Sequence, residues 1–383
     1  MKTKVLTVIG TRPEAIKLAP VVLELEQRPN SFVSKVCLTA QHRAMLDQPI
    51  AIFGIKQNYD LNIMSSGQTL AQVTARAVKG LDKVVAKEKP DVILVQGDTT
   101  TAFCGALVGY YHQIKVGHVE AGLRTGQKYA PFPEEINRRL VGQIADLHFA
   151  PTKHAKQALL KEGISKANIF VTGNTVIDAL LWVRERVRAT QPELPKGLSK
   201  SLEGHRVILV TGHRRESFGK GFENICHAIR EVADAFADIV FVYPMHLNPH
   251  VREPVKRILG IHPRIHLIEP LSYAPFVWLM DHAKIVLTDS GGVQEEAPSL
   301  GKPVLVMRET TERPEGISAG NALLVGVKKE RIVLALTRLL RNTKQYARMA
   351  AVNNPYGDSH AALKIVQILA KDNRNHNKVA RRK

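Results

Sequence analysis

Residues 284–304, KIVLTDSGGVQEEAPSLGKPV, decide the fold, because they hold a strand, a turn, a helix and a second strand in one short run. Residues 284–288 are an apolar run of strand type, Asp289-Ser290-Gly291-Gly292 is a turn without bulk, and residues 293–300 have helical spacing that Gly301 stops. Two adjacent glycines let a phosphate approach the main chain, and the free N–H groups of a helix's first turn, with the macrodipole behind them, favour negative charge. Ser290 adds a hydroxyl donor. Glu296 lies one turn further in, where it would repel a phosphate, and is read as an acceptor for a sugar diol such as ribose.

A bare Gly-Gly also suits an ordinary βα turn, so the surrounding residues carry the reading. Gly292, Glu296-Ala297 and Gly301-Lys302-Pro303 spell G-x-x-x-E-A-x-x-x-G-x-P. The pattern resembles the donor-nucleotide site of two-domain, nucleotide-sugar-dependent glycosyltransferases of the GT-B architecture, which implies a nucleotide diphosphate here.

The chain's 383 residues, 44% of them hydrophobic, suffice for two cores, and no low-complexity tract interrupts them. Cys37, Cys104 and Cys226 lie far apart without C-x-x-C or histidine spacing, which indicates neither a disulfide framework nor a zinc site and fits a reducing cytoplasm. Met1-Lys2-Thr3-Lys4 leads straight into a short strand, and no apolar run approaches transmembrane length, so a soluble protein with no membrane partner is expected. The net charge of +19 raises the question of nucleic-acid binding. Residues 371–383 hold six Lys/Arg against one acid, and the remaining excess is spread without an aromatic-interleaved basic stripe. A basic cleft for a small anionic ligand accounts for it, and no nucleic-acid partner is expected.

Residues 5–9 are an apolar run ending in Gly10-Thr11-Arg12-Pro13-Glu14, after which residues 15–25 take helical spacing. Arg12 thereby stands at the carboxyl end of the first strand, the edge where open α/β sheets bind ligands. Its five fixed donors suit a phosphate, and an ion pair with Glu14 is the alternative. Lys17 either approaches the same edge or lies on a solvated helix face. Residues 91–96 form a near-continuous apolar strand that delivers Gly97-Asp98-Thr99-Thr100-Thr101. Asp98 either caps the next helix or serves a site, and local sequence leaves both open. Residues 115–119 end in Glu120-Ala121-Gly122-Leu123-Arg124, and Glu134-Glu135 open a helix, where the dipole favours acids in any case. Asp98, Glu120 and Glu134 should converge from successive strand ends. Buried acids are costly unless protonated or paired, which is an arrangement for acid–base chemistry.

Thr172-Gly173-Asn174 caps a helix over 175–189, and 190–204, with Pro192, Pro195 and Gly197, reads as a connection. The second half restarts at 207–210 with Gly212-His213-Arg214-Arg215-Glu216, an echo of the earlier G-x-R-x-E, and Asp289-Ser290 echoes Asp98-Thr99. The expected fold is α/β, two doubly wound Rossmann-like domains facing a deep cleft, GT-B-like. Its divisions are 1–172, the N-terminal domain with the carboxylates; 173–204, a connecting helix and linker; 205–358, the nucleotide-binding domain; and 359–383, a helix returning to the first domain plus a basic tail. His213 takes a role at the phosphates, Phe276 stands at a helix start beside the cradle, and Arg313 is set at the cleft. His246 and His250 invite a metal, but no carboxylate or thiol completes a ligand set, and none is expected.

GTRPEAIK, GDTTTAF, HVEAGLRT, PFPEEINRR, GNTVIDAL, GHRRESFG, HLNPHV and DSGGVQEEAPSLGKPVLVMRETTERPE together resemble the bacterial non-hydrolysing UDP-N-acetylglucosamine 2-epimerases from end to end, the basic tail excepted. The resemblance implies reversible interconversion of UDP-N-acetylglucosamine and UDP-N-acetylmannosamine in the cytoplasm, by a homodimer without a cofactor, supplying cell-surface polysaccharide precursors. It implies anti elimination of UDP through 2-acetamidoglucal, with re-addition after protonation on the other face. By motif match Asp98, Glu120 and Glu134 handle protons, and His213, with Arg12 and the Ser290-Gly291-Gly292 cradle, stabilises the leaving diphosphate. Asp98, Glu120 and His213 also touch the substrate, Glu296 binds ribose, Leu271 and Phe276 the uracil, and Lys17 and Arg313 further polar groups. Members activated by a second substrate molecule carry polar or basic residues where this chain has Ala44 and Gly67, so that activation is not implied here.

Overall fold

The computed structural model describes residues 2–40, 43–65 and 67–380, the side chains of 43–45 and 373–380 excepted. Two sheets organise it. The first is built from β1 (Thr3–Ile9), β2 (Phe32–Leu38), β3 (Tyr59–Asp60), β4 (Val92–Gln96), β5 (Lys115–Val119), β6 (Leu147–Ala150) and β7 (Ile169–Val171), in the spatial order β3-β2-β1-β4-β5-β6-β7. The second is built from β8 (Arg206–Thr211), β9 (Ile239–Pro244), β10 (Ile265–Ile268), β11 (Ala283–Thr288), β12 (Val304–Val306) and β13 (Ala322–Leu324), in the order β10-β9-β8-β11-β12-β13. All their pairings are parallel. The chain divides into two compact units, Met1–Ala179 with Gly357–Lys383, and Leu180–Tyr356, so the first boundary falls inside the helix Thr175–Ala189.

Parallel strands need helical crossovers, which cover both faces of a sheet and force its central strands to be apolar throughout. The VILVQ of β4 is buried at every position, as is the centre of β11. In each sheet the order reverses once, between β1 and β4 in the first and between β8 and β11 in the second. Loops on either side of that point diverge at the carboxyl edge and leave room for a ligand. Gly10–Glu14 and Gly97–Thr101 therefore flank one switch point, and Gly212–Glu216 and Asp289–Gly292 flank the other. The sequence echoes are thus positional: each G-x-R-x-E follows the first strand of its sheet, and each Asp-Ser/Thr follows the fourth.

Local features set several boundaries. The helix Leu70–Glu88 starts where it does because Thr69 and Gln72 close a capping box over its first turn. The connection 190–204 holds a short helix, Leu198–Leu202, and the last helix runs on to Ala380, into the stretch read as a basic tail. That last helix, Ala361–Ala380, packs on the helix Arg12–Glu26. Its first turn is tied by Asp178, which accepts from the main-chain N–H groups of Ala361 at 3.3 Å and Ala362 at 2.9 Å. Burial pushes the Asp178 carboxyl up to about 6 against the opposing effect of those amides.

The second unit ends on Tyr356, which is 2% exposed. Its hydroxyl accepts from the Gly316 N–H at 3.1 Å and donates to the Arg313 carbonyl at 3.1 Å. Tyr356→Phe would leave both main-chain groups without that partner, and a loss of about 1–3 kcal/mol is expected. A lower urea midpoint at unchanged m-value is the measurement.

Candidate active site

In the first unit the chemistry gathers at the ends of β4 and β5. Glu120 follows β5 in a left-handed conformation, φ 63°, rare for a side chain of this size. It is 7% exposed, and donors surround its carboxylate: the Lys17 ammonium at 2.6 and 2.7 Å, the Asn174 amide at 2.9 Å, and the Gln96 amide. Lys17 therefore serves the sheet edge and not a solvated face. Asp98 follows β4 and pairs with the Arg138 guanidinium. Its main-chain carbonyl accepts from Asn137 Nδ2 at 2.9 Å. The cap of the helix Thr100–Tyr111 is Thr99, whose hydroxyl accepts from the Ala102 N–H at 3.0 Å, so Asp98 is not spent on capping.

Asn137 and Arg138 lie three and four residues after Glu134 in the helix Glu134–Ile144, and that spacing puts all three on one face beside Asp98. Glu134 Oε2 is buried with no hydrogen-bond partner among the described residues. Its neighbour Glu135 is committed elsewhere. It accepts from the Thr125 and Gly126 N–H groups at 3.1 and 3.3 Å and from Arg139 Nε and Nη2 at 3.1 and 3.0 Å. Although burial raises its pKa, the Thr125 amide, Arg139 and Arg138 hold the carboxyl below the usual range.

At this switch point the acid that burial drives towards protonation is Glu14. Fully buried, it accepts from the Gly10 N–H at 3.1 Å, the Thr11 hydroxyl at 2.8 Å and the Thr99 hydroxyl at 2.7 Å. Desolvation outweighs those hydrogen bonds and pushes the carboxyl up to about 7. Glu14 thus links the β1 and β4 loops.

In the second unit the switch point is closed by Asp289, 1% exposed, which accepts from the main-chain N–H groups of His213 at 2.7 Å and Arg214 at 2.8 Å. The His213 ring sets Nδ1 3.3 Å from Asp289 Oδ1, within ion-pair distance, and stacks on His246 with centroids 5.5 Å apart. Burial lowers the His213 pKa, Arg214 and His246 act in the same direction, and Asp289 opposes them without reversing the result. His250 stacks instead on Phe218. Ser290 stands at the N-cap of the helix Gly291–Glu296 without a side-chain capping bond. A Cβ at Gly291 would lie 3.9 Å from guanidinium atoms of both Arg214 and Arg313, so two cations border the glycine turn. Arg313 is oriented by Glu295. Glu296, 7% exposed, receives the Tyr273 hydroxyl at 2.9 Å and turns its other oxygen towards Gly292. Tyr273 opens the helix Tyr273–His282, which also carries Phe276, and Leu271 lies just before it in the chain.

The chain as a whole is similar to known proteins. A sequence profile for UDP-N-acetylglucosamine 2-epimerase matches residues 23–370. The chain is 56% identical over 374 residues to the protein of that name from Escherichia coli K12, covering 97% of this chain and 99% of the other. The chain belongs to the UDP-N-acetylglucosamine 2-epimerase family. The Neisseria meningitidis UDP-GlcNAc 2-epimerase, solved bound to UDP-GlcNAc, superposes with a TM-score of 0.86 at 49% identity, over 96% of this chain and 100% of that one. The Methanocaldococcus jannaschii enzyme, solved with UDP-GlcNAc and UDP, gives a TM-score of 0.77 at 35% identity, over 96% and 100%. The GT-B-like pair of Rossmann-like domains expected from sequence is therefore the fold class of the family.

Against the sequence reading, Arg12, Lys17, Asp98, Glu120 and Glu134 fall in the first unit, and His213, Leu271, Phe276, Ser290, Gly291, Gly292, Glu296 and Arg313 in the second. Several partners were missed, among them Asn137, Tyr273 and Glu295. Gln96 and Arg138 look like a strand end and a helix face. Asn174 reads as a cap, which it also is, since its Oδ1 accepts from the Val176 N–H at 3.1 Å. Arg214 is the middle arginine of the echo, a signal noted without a role. The side chain of Ala44 and the last tail residues, 381–383, lie outside the described residues. Gly67 has φ 70° and no atom within 4 Å of a Cβ built on it. Among the described residues no group of three His, Cys, Asp or Glu could hold a metal ion, and no helix is long and apolar enough to cross a membrane.

Glu14 sets a pH dependence. The unfolded chain releases its proton near 4.5 and the folded chain only near 7, so between those values the folded state holds more protons and loses stability as pH rises. At about 1.4 kcal/mol per pKa unit the loss approaches about 3 kcal/mol. Urea unfolding of wild type and Glu14→Gln between pH 4.5 and 7.5 is expected to show the wild type losing stability relative to the variant by about this amount, while the decline that Asp178 causes below about pH 6 is common to both.

Proposed function

We propose that the chain interconverts UDP-N-acetylglucosamine and UDP-N-acetylmannosamine by epimerisation at carbon 2. The observation that supports this best is the pair of ionisable acids on adjacent strand ends, Asp98 held by Arg138 and Glu120 held by Lys17, in a chain whose relatives bear that enzyme's name. The carbon 2 proton of an intact nucleotide sugar is not acidic. As the C1–O bond breaks towards UDP, developing positive charge at C1 acidifies it, and a carboxylate takes it. The C2–H electron pair becomes the C1=C2 bond of 2-acetamidoglucal, and the C1–O pair leaves with UDP. Return of a proton to the opposite face of C2, with UDP re-bonding C1, gives the epimer, and nothing is consumed.

Two proton-handling groups are needed, one for each face, and Asp98, Glu120 and Glu134 are the candidates. His213, Arg12 and the Ser290-Gly291-Gly292 turn, bordered by Arg214 and Arg313, stabilise the departing diphosphate. Glu296 accepts from the ribose, and Leu271 and Phe276 hold the uracil. Supply of aminosugar to cell-surface polysaccharides, a cytoplasmic location and a homodimeric assembly follow from the family resemblance.

Incubation with UDP-N-acetylglucosamine in deuterated water, without an acceptor, is expected to yield UDP-N-acetylmannosamine labelled at carbon 2. Transfer that requires an acceptor would instead make the chain a glycosyltransferase, and release of free N-acetylmannosamine would make it a hydrolase. Asp98→Asn, Glu120→Gln and Glu134→Gln are each expected to lower turnover roughly a hundredfold or more while UDP binding persists. Near-normal turnover in any one assigns that residue to structure.

A further inference from the structure

Three consecutive residues carry Asp98, and each is held by a buried or half-buried polar group from a different element. The Thr99 hydroxyl donates to Glu14 at 2.7 Å, from the helix Arg12–Glu26, and the Asp98 carbonyl accepts from Asn137 at 2.9 Å, from the helix Glu134–Ile144. The third hold is on Gly97. His118, on β5, is 1% exposed and sets its Nε2 2.7 Å from the Gly97 carbonyl oxygen. A carbonyl only accepts, so Nε2 carries the proton and the ring is the Nε2–H tautomer. Nδ1 is buried without a partner among the described residues. An apolar side chain would fill this place on β5 without stranding a ring nitrogen, so the residue type serves the hydrogen bond to Gly97.

Gly97 is where that bond has leverage. Its φ is 68°, its N–H donates to the Val119 carbonyl at 3.0 Å, and a Cβ built on it would lie 3.6 Å from Glu120 Oε2. The left-handed turn therefore aims the next residue, Asp98, and runs directly under the carboxylate of Glu120. His118 is also two residues before Glu120 on the same strand, so one rigid segment carries one acid and orients the other.

Resting on the proposed proton role of Asp98, we infer that His118 is a positioning residue for that carboxylate, acting as a fixed neutral donor to the Gly97 carbonyl. The groups facing it fit that role. His148 is its register partner on β6, Arg124 lies on the next loop, and Glu120 follows on its own strand. Burial, His148 and Arg124 depress its pKa to about 3, with the Gly97 carbonyl and Glu120 opposing, so the ring stays uncharged at working pH.

The test uses the geometry of the two carboxamides. Glutamine places its amide nitrogen where His118 has Nε2, and asparagine places it nearer Nδ1, which bonds nothing. His118→Gln is expected to keep kcat within about threefold of wild type, and His118→Asn to lose roughly ten- to a hundredfold, the range for residues that orient a catalytic group through a hydrogen bond. KM for UDP-N-acetylglucosamine and Kd for UDP should change less than about twofold in both, and the pH profile of His118→Gln should keep the wild-type shape. Equal activity of the two variants, loss of turnover in His118→Gln, or loss of one limb of its pH profile overturns the inference. Adding His118→Asn to Asp98→Asn should cost nothing further, and an additive loss also overturns it. If the asparagine variant does not fold, turnover of His118→Gln decides alone, retention supporting the inference and loss overturning it. Asp98→Asn assayed alone separates the two ideas: if it retains turnover, the proton role of Asp98 fails, whatever the His118 variants do.

Discussion

One buried carboxylate at each switch point is the constraint on which the rest depends. Where strand order reverses, two loops leave a sheet edge in opposite directions, and no crossover joins them directly. Their polar groups still need partners once water is removed. In the first sheet Glu14, from the first turn of the helix after the first strand, reaches across to the Thr99 hydroxyl. In the second sheet the same tie runs in reverse, from Asp289 after the fourth strand to the N–H groups of His213 and Arg214 after the first. A carboxylate suits the task because it accepts several hydrogen bonds from different directions. The ties differ in what they hold: Glu14 takes two hydroxyls and one amide, Asp289 two amides.

Around the first tie, pairing does most of the work of keeping acids buried. Lys17 and Glu120 meet across 103 residues of sequence, and two amides complete the shell. Replacing such a pair by apolar side chains is often neutral or stabilising, whereas deleting one member is costly because the other charge is left buried. Its presence is therefore weak evidence about stability and better evidence about chemistry. The left-handed backbone at Glu120 fits this, since strain of that kind persists where a side chain must be aimed.

Sequence revealed what is local. The strands β1, β4, β8 and β11 are largely apolar runs with a glycine directly after them or within three residues, and the loops that follow them repeat in order, so the two Rossmann-like units could be read directly. β3, β10 and β13 are strands of two to four residues with little periodicity, and their place is set by pairing with neighbours. At the site, Asp98 and Glu120 were legible as acids at strand ends. Asp98 against Thr99 as the cap was not, because both residue types cap helices and only backbone geometry selects one. Glu14 offered only an alternative ion pair for Arg12, two residues before it. That its oxygens face inwards depends on Thr99, 85 residues away, and desolvation is a property of the assembled unit.

The Asp289 tie has a consequence for how this surface changes over time. It grips residues 213 and 214 by their main chain, which every amino acid except proline supplies in the same form. The shape of the turn is thereby separated from the chemistry it displays. A change of charge, size or proton affinity at those two positions therefore leaves the frame of the turn in place, and the sheet edge need not be rebuilt around it.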